Sequence, residues 1–107
     1  MQKQDRILYL ENLTQEFPND PFGWYALHLE KINESPDGGI SGWEEILARF
    51  PDYLPLYYQF GMAFLSQKKT EKAIEIFSRG IQLAEKQQDL HALTELKSAR
   101  MNAMIDE

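Results

Sequence analysis

His28 and His91 are the only histidines in the chain, and there is no cysteine. Thiolate zinc sites, disulfide frameworks and cysteine nucleophiles are thereby excluded. The two imidazoles stand far apart, with no His-x-x-x-His or His-Glu-x-x-His spacing, so they make a poor metal pair. His28 lies in an apolar stretch and reads as a packed, hydrogen-bonded histidine. His91 and Glu95 form an i, i+4 pair, which reads as a surface contact. Gly38-Gly39-Ile40-Ser41-Gly42 leads into a helix start, where free amides can bind an anion. However, no strand precedes it, no Gly-Lys-Ser/Thr element follows, and Glu44-Glu45 would face the phosphate; a flexible connection is the better reading. Glu44 and Glu45 are neighbours in sequence and point in different directions on a helix, so they are not a general acid and base. Lys68, Lys69 and Lys72 form a small basic spot, read as a solvated turn. No set of titratable groups converges. The expectation is a protein that is not an enzyme, with no catalytic residue, no cofactor and no metal ligand.

The elements that carry these side chains are organised by a repeat. Phe17-Pro18-Asn19-Asp20, followed by Trp24-Tyr25-Ala26-Leu27, recurs 33 residues on as Phe50-Pro51-Asp52-Tyr53, followed by Tyr57-Tyr58-Gln59-Phe60. That period belongs to helical hairpins that cannot bury an apolar face alone and must stack. A chain of 107 residues fits one domain with a modest core. The formal charge of −6 sits entirely in the first half. There, Asp5, Glu11, Glu16, Asp20, Glu30, Glu34, Asp37, Glu44, Glu45 and Asp52 outnumber Lys3, Arg6, Lys31 and Arg49. Such a half repels phosphate backbones and anionic lipid, which argues against nucleic-acid and membrane partners, and it also serves solubility. The N-terminal residues lack the apolar core of a secretory signal and no apolar run spans a bilayer, so a cytoplasmic protein is expected.

Helical spacing places Ile7, Leu10, Leu13, Thr14 and Phe17 on one face of a first helix, stopped at Phe17-Pro18. Asp20-Pro21 restarts the chain as a second helix, with an acceptor at the N-cap and proline at the first helical position. Ser35-Pro36-Asp37-Gly38-Gly39 breaks it. Ser41-Gly42-Trp43-Glu44 reads as a capping box opening a short third helix with Ile46, Leu47 and Phe50. A fourth helix starts near Leu54-Pro55 and runs to about Gln67. Within it Gly61 requires a packing reason, the close approach of another helix. Thr70 can cap a fifth helix with Ala73, Ile74, Phe77, Gly80 and Ile81, and a last amphipathic stretch runs from Leu90 to Ile105, either separate or a bent continuation. No period-two alternation persists, so the chain reads as all-α with six helices.

The stretch Leu54 to Gln87 resembles a tetratricopeptide repeat. Tyr57, Phe60-Gly61 and Phe64 match the family's first helix, and Ala73, Phe77 and Gly80 its second, with glycine for the last alanine. Lys68-Lys69 stand where the family prefers glycine and a polar residue. From Pro21 to Pro51 the match is weaker: Trp24 and Leu27 fit, His28 occupies the place of a small residue, and Trp43 takes the later aromatic position, so a different helix separation is expected. The helix ending at Phe17-Pro18 looks like the second half of a repeat. The stretch Asp89 to Leu96 looks like the C-terminal capping helix of small stand-alone bacterial members. The resemblance implies a right-handed superhelix of stacked antiparallel helix hairpins in a single domain, 1–107. It comprises a half-repeat helix at 4–17, a degenerate repeat at 20–51, a well-matched repeat at 54–87 and a capping helix at 89–106.

Members of that family are generally adaptors whose concave face, lined by first helices, holds a peptide or partner segment. Mapped here, that face is Phe22, Tyr25, Leu29 and Ile32 from one helix and Tyr58, Gln59, Met62, Leu65 and Ser66 from the next, opposite Leu27 and Phe60, which should enter the core. A groove of tyrosine, leucine and methionine favours an apolar or amphipathic segment over a charged tail. Members that grip a C-terminal carboxylate use lysine, asparagine and arginine on these faces. Tyr25, Leu29, Tyr58 and Met62 stand there instead, so that activity is expected to be absent. Two alternatives stay open: these side chains are core, covered by the terminal helix, or the terminal helices associate with another copy to give a homodimer.

Overall fold

A computed structural model describes residues 2–106, so that the ends of the expected 1–107 domain, Met1 and Glu107, lie outside the described residues. Helix starts follow from local acceptors. Asp20 accepts a hydrogen bond from the Phe22 amide at 3.0 Å and Pro21 takes the first helical position, opening α2 (Pro21–Lys31) as the sequence predicts. Asp89 accepts from the Ala92 amide at 3.0 Å and opens α6 (Leu90–Ile105), a helix separate from its predecessor. The others are α1 (Lys3–Glu16), α3 (Ile40–Arg49), α4 (Pro55–Ser66) and α5 (Thr70–Gln87), with a 3-10 turn at Ile32–Glu34. Among the described residues the fold is all-helical, with no strand.

The sequence repeat is a repeat of hydrogen bonds. α1 and α3 end alike, at Phe17 (φ −128°, ψ 65°) and Phe50 (φ −132°, ψ 63°). The Asp20 amide then donates to the Phe17 carbonyl and the Tyr53 amide to the Phe50 carbonyl, each at 3.1 Å. The aromatic residue of the next helix reaches back to the proline carbonyl in both copies: Trp24 Nε1 donates to Pro18 O at 3.0 Å, Tyr57 Oη to Pro51 O at 2.6 Å. An arginine from the following helix covers each ring, Arg49 over Trp24 at 4.5 Å and Arg79 over Tyr57 at 5.8 Å.

Three local expectations are corrected. Ser41 does not cap α3: the helix begins one residue before it, with Gly39 (φ 92°) at the cap position. Asp37 does that work, accepting from the Gly39 amide at 3.1 Å and the Ser41 amide at 2.9 Å. Thr70 is already inside α5, whose start has no side-chain cap. Phe17 leaves the packed face of α1 because its non-helical backbone turns it outward, leaving it 55% exposed. The lysine turn closes despite lacking glycine. Lys68 adopts φ 59°, the Lys68 amide donates to Leu65 O at 3.0 Å and the Lys69 amide to Phe64 O at 2.9 Å, a Schellman motif with lysine in glycine's place. The turn after α5 repeats the pattern with Gln88 at φ 58°.

Each helix packs on the next, most extensively α4 on α5 and α5 on α6, and α6 also reaches α4. Trp43, Leu56, Phe77 and Leu96 are the largest fully buried side chains. Gly61 has the packing reason its position requires: a Cβ there would stand 2.2 Å from the Phe77 ring. α2 joins this core through half-buried side chains such as Trp24 and Tyr25, and α1 is tied to α2 by the ion pair of Arg6 Nε with Glu30 Oε1 at 2.6 Å. Leu27, expected in the core, is half-buried. Among the described residues, no helix is long and apolar enough to cross a membrane.

Candidate functional site

The first helix of each hairpin, α2 and α4, shares one side of the molecule with α6. Three hollows open along it. The first, about 220 Å³, lies between Tyr25, Tyr58, Gln59 and the start of α6, where Asp89, His91, Ala92 and Glu95 complete it. A second, about 360 Å³, runs from Gln59, Met62 and Ser66 to Ile32 and the loop through Ser35, Pro36 and Gly38. The third, about 350 Å³, follows α6 from Tyr58 past Glu95 to Ser98 and Asn102. Gln59 is shared by the first two and Tyr58 by the first and third, so the hollows adjoin.

Aromatic packing backs this wall. Tyr25 stands against Trp43 and Tyr53, with ring centroids 5.5 Å away in each case. Burial pushes the Tyr25 phenol above its ordinary pKa; a hydrogen bond from the Gln59 side chain opposes that shift and the Glu95 carboxylate adds to it. Tyr58 leans on Phe77, ring centroids 6.4 Å apart. Behind α2, His28 sits edge-on to Trp43 at 4.4 Å, and its Nε2 meets the Gly39 carbonyl at 2.8 Å. The bulk of His28 in the place of a small residue is matched by Gly42 on α3, where a Cβ would come within 2.2 Å of the imidazole. His28 is thus a structural histidine. The Trp43 indole N–H behind it is buried with no hydrogen-bond partner among the described residues.

Of the expected groove residues, Tyr25, Ile32, Tyr58, Gln59, Met62 and Ser66 line these hollows. Tyr25, Ile32, Tyr58 and Leu65 also rest partly on the core. Phe22, Leu29 and Met62 are exposed at 50%, 37% and 40%. Phe22 and Leu29 lie off the three hollows, and Leu65 spends its area on packing. Residue spacing missed the wall supplied by α6, chiefly Asp89, Glu95 and Ser98, and the loop residues Ser35 and Pro36. The i, i+4 spacing of His91 and Glu95, which the structure joins at 3.6 Å, was the one trace of that wall in the sequence. On the opposite side, between α3 and α5, a hollow of about 530 Å³ is lined by Phe60, Phe64 and Ile76 together with Glu44, Lys72, Glu75 and Arg79. No group of three or more potential metal-ligating side chains occurs among the described residues.

No protein-family model matches the chain, and no curated protein does. Solved structures do. A tetratricopeptide repeat domain protein from Salinibacter ruber, determined by solution NMR, is 31% identical with a TM-score of 0.73, over 80% of this chain and 88% of that one. A crystal structure of the same Salinibacter ruber target gives 30% identity and a TM-score of 0.74, over 82% of this chain and all of that one. With its 33-residue hydrogen-bond repeat and its aromatic, Phe-Gly and Ala-Phe positions in register, the chain belongs to the tetratricopeptide repeat family.

Proposed function

We propose that this protein is an interaction module that holds a segment of a partner protein along the side formed by α2, α4 and α6. The observation that carries the reading is the run of adjoining hollows there, where Tyr25, Ile32, Tyr58 and Met62 are left partly uncovered. Membership of a family of protein-interaction modules supports it. The proposed contact set is Tyr25, Ile32, Tyr58, Gln59, Met62 and Ser66 of the groove read from sequence, extended by the α6 residues that line the same hollows. A displayed peptide library selected on the full chain provides the test. Met62→Arg should weaken the selected peptides by about tenfold or more, whereas Glu75→Arg on the other side should change their affinity by less than about twofold. Peptides insensitive to Met62→Arg, or a library that yields none, would count against the reading.

A second reading, self-association, is favoured by a specific feature. α6 turns Met101, Met104 and Ile105 to solvent at 57%, 52% and 71%, and α1 exposes Leu8 and Tyr9 at 61% and 55%. Light scattering over a dilution series separates the two, since a homodimer through the terminal helices would persist on dilution.

A further inference from the structure

The hollow between Tyr25, Tyr58 and α6 has a chemistry more specific than an apolar groove. At about 220 Å³ it is smaller than the 300–1,000 Å³ typical of sites for drug-sized molecules, and it suits a single long side chain. Its lining combines two tyrosines with the carboxylates of Asp89 and Glu95. Among the described residues no lysine or arginine lines this hollow or either of its neighbours, whereas Lys72 and Arg79 line the one across the molecule. The start of α6 is not an open anion site, because Asp89 already occupies it through the Ala92 amide. Glu95 is half-exposed, and its neighbour His91 is 91% exposed, free to swing away from an incoming group. Tyrosine rings and carboxylates lining one hollow, with no cation among the described lining residues, match a guanidinium, which stacks on aromatic surfaces and forks onto carboxylates.

The geometry points to an arginine side chain of a basic partner segment as the occupant of the Tyr25, Tyr58 and Glu95 pocket. The inference rests on the proposed interaction role of this face and names the chemistry of what it takes. The acidic character of the first half of the chain, which carries the whole formal charge of −6, steers such a segment toward the molecule.

The probe is the capped pentapeptide Ala-Ala-Arg-Ala-Ala, with lysine and leucine versions, titrated into the 15N-labelled full chain at physiological ionic strength. The arginine peptide should shift the amides of Tyr25, Tyr58 and Glu95. Glu95→Gln should weaken it by about tenfold, and Tyr58→Leu, which keeps an apolar side chain but removes the ring, by about threefold to tenfold. Glu75→Gln, an equal change of charge on the far side, should leave it unchanged. Equal shifts from the leucine peptide, equal losses from Glu75→Gln, or no shift at these residues would overturn the pocket. Failure here is distinguishable from failure of the interaction reading: library peptides that respond to Met62→Arg but not to Glu95→Gln would leave the face standing without its arginine.

Discussion

At the scale of single residues, the chain meets the demands of its fold with substitutes. Lys68 sits at φ 59° where glycine would be unstrained. A left-handed conformation costs an L-residue about 1–2 kcal/mol, partly offset by the chain entropy that glycine would add to the unfolded state. Lys68→Gly should therefore stabilise the protein by about 0.5–1 kcal/mol in urea melts; an unchanged or lowered midpoint would show that the lysine is not strained. Asp37 is the unexpected cap of α3. Its carboxylate is held below the ordinary aspartate range, first by the Ser41 amide, and Glu30 is likewise lowered, first by its hydrogen bond to Arg6. A depressed folded-state pKa gives stability that is present above the unfolded value, near pH 4, and lost as pH falls through the folded one. Urea midpoints should drop below about pH 4, and Asp37→Asn should make that drop shallower. An unaltered pH profile in the variant would remove Asp37 from the account. Asp37 was hidden in the sequence because Ser41, four residues on, offers an equally good capping signature. Only the Gly38-Gly39 turn, which brings the chain into the helix early, decides between them.

At the scale of elements, the repeat was legible because it is written in hydrogen-bond partners as well as in aromatic residues. Phe17-Pro18 with Trp24 and Phe50-Pro51 with Tyr57 make the same turn twice. The degenerate hairpin was legible as a departure but not as a solution. His28 was recognised as too large, yet nothing in one helix alone shows that Gly42 on the next makes room for it. Packing follows the same division. The main core is built from α3 to α6, while α1 contributes only Leu10 and Thr14 as buried residues. Hydrogen exchange should therefore be fastest in α1 and slowest in α5. Equal protection along the chain would mean that the first helix is bound more firmly than its contacts indicate. Within α4 and α5 the contrast is between face and core. Met62→Ala should cost less than about 1 kcal/mol, because the side chain is 40% exposed, and Phe77→Ala about 3–5 kcal/mol, because it is fully buried. A large loss from Met62→Ala would place that residue in the core and take it out of the groove.

At the scale of the whole molecule, the stack is slightly elongated, with a radius of gyration of 14.2 Å where about 13 Å is expected for a compact chain of this length. The open shape leaves one side walled by α2, α4 and α6. Residue spacing found the part of that wall that lies on two neighbouring first helices. It did not find the third helix: the stretch expected to be amphipathic has only a weakly one-sided apolar pattern, and the face that α6 turns inward, with Leu96 and Ala103, is set by its packing on α5 and α4. The terminal helix does not seal the tyrosines: Tyr25 and Tyr58 both remain half-buried, with α6 forming one bank of the hollows. The most direct test of the proposed role is a crystal structure of the full chain with the tightest peptide selected from the library. The expected complex has the peptide lying along α2, α4 and α6 and covering Tyr58 and Met62. A peptide seated between α3 and α5, or a second copy of the chain filling the groove, would contradict it.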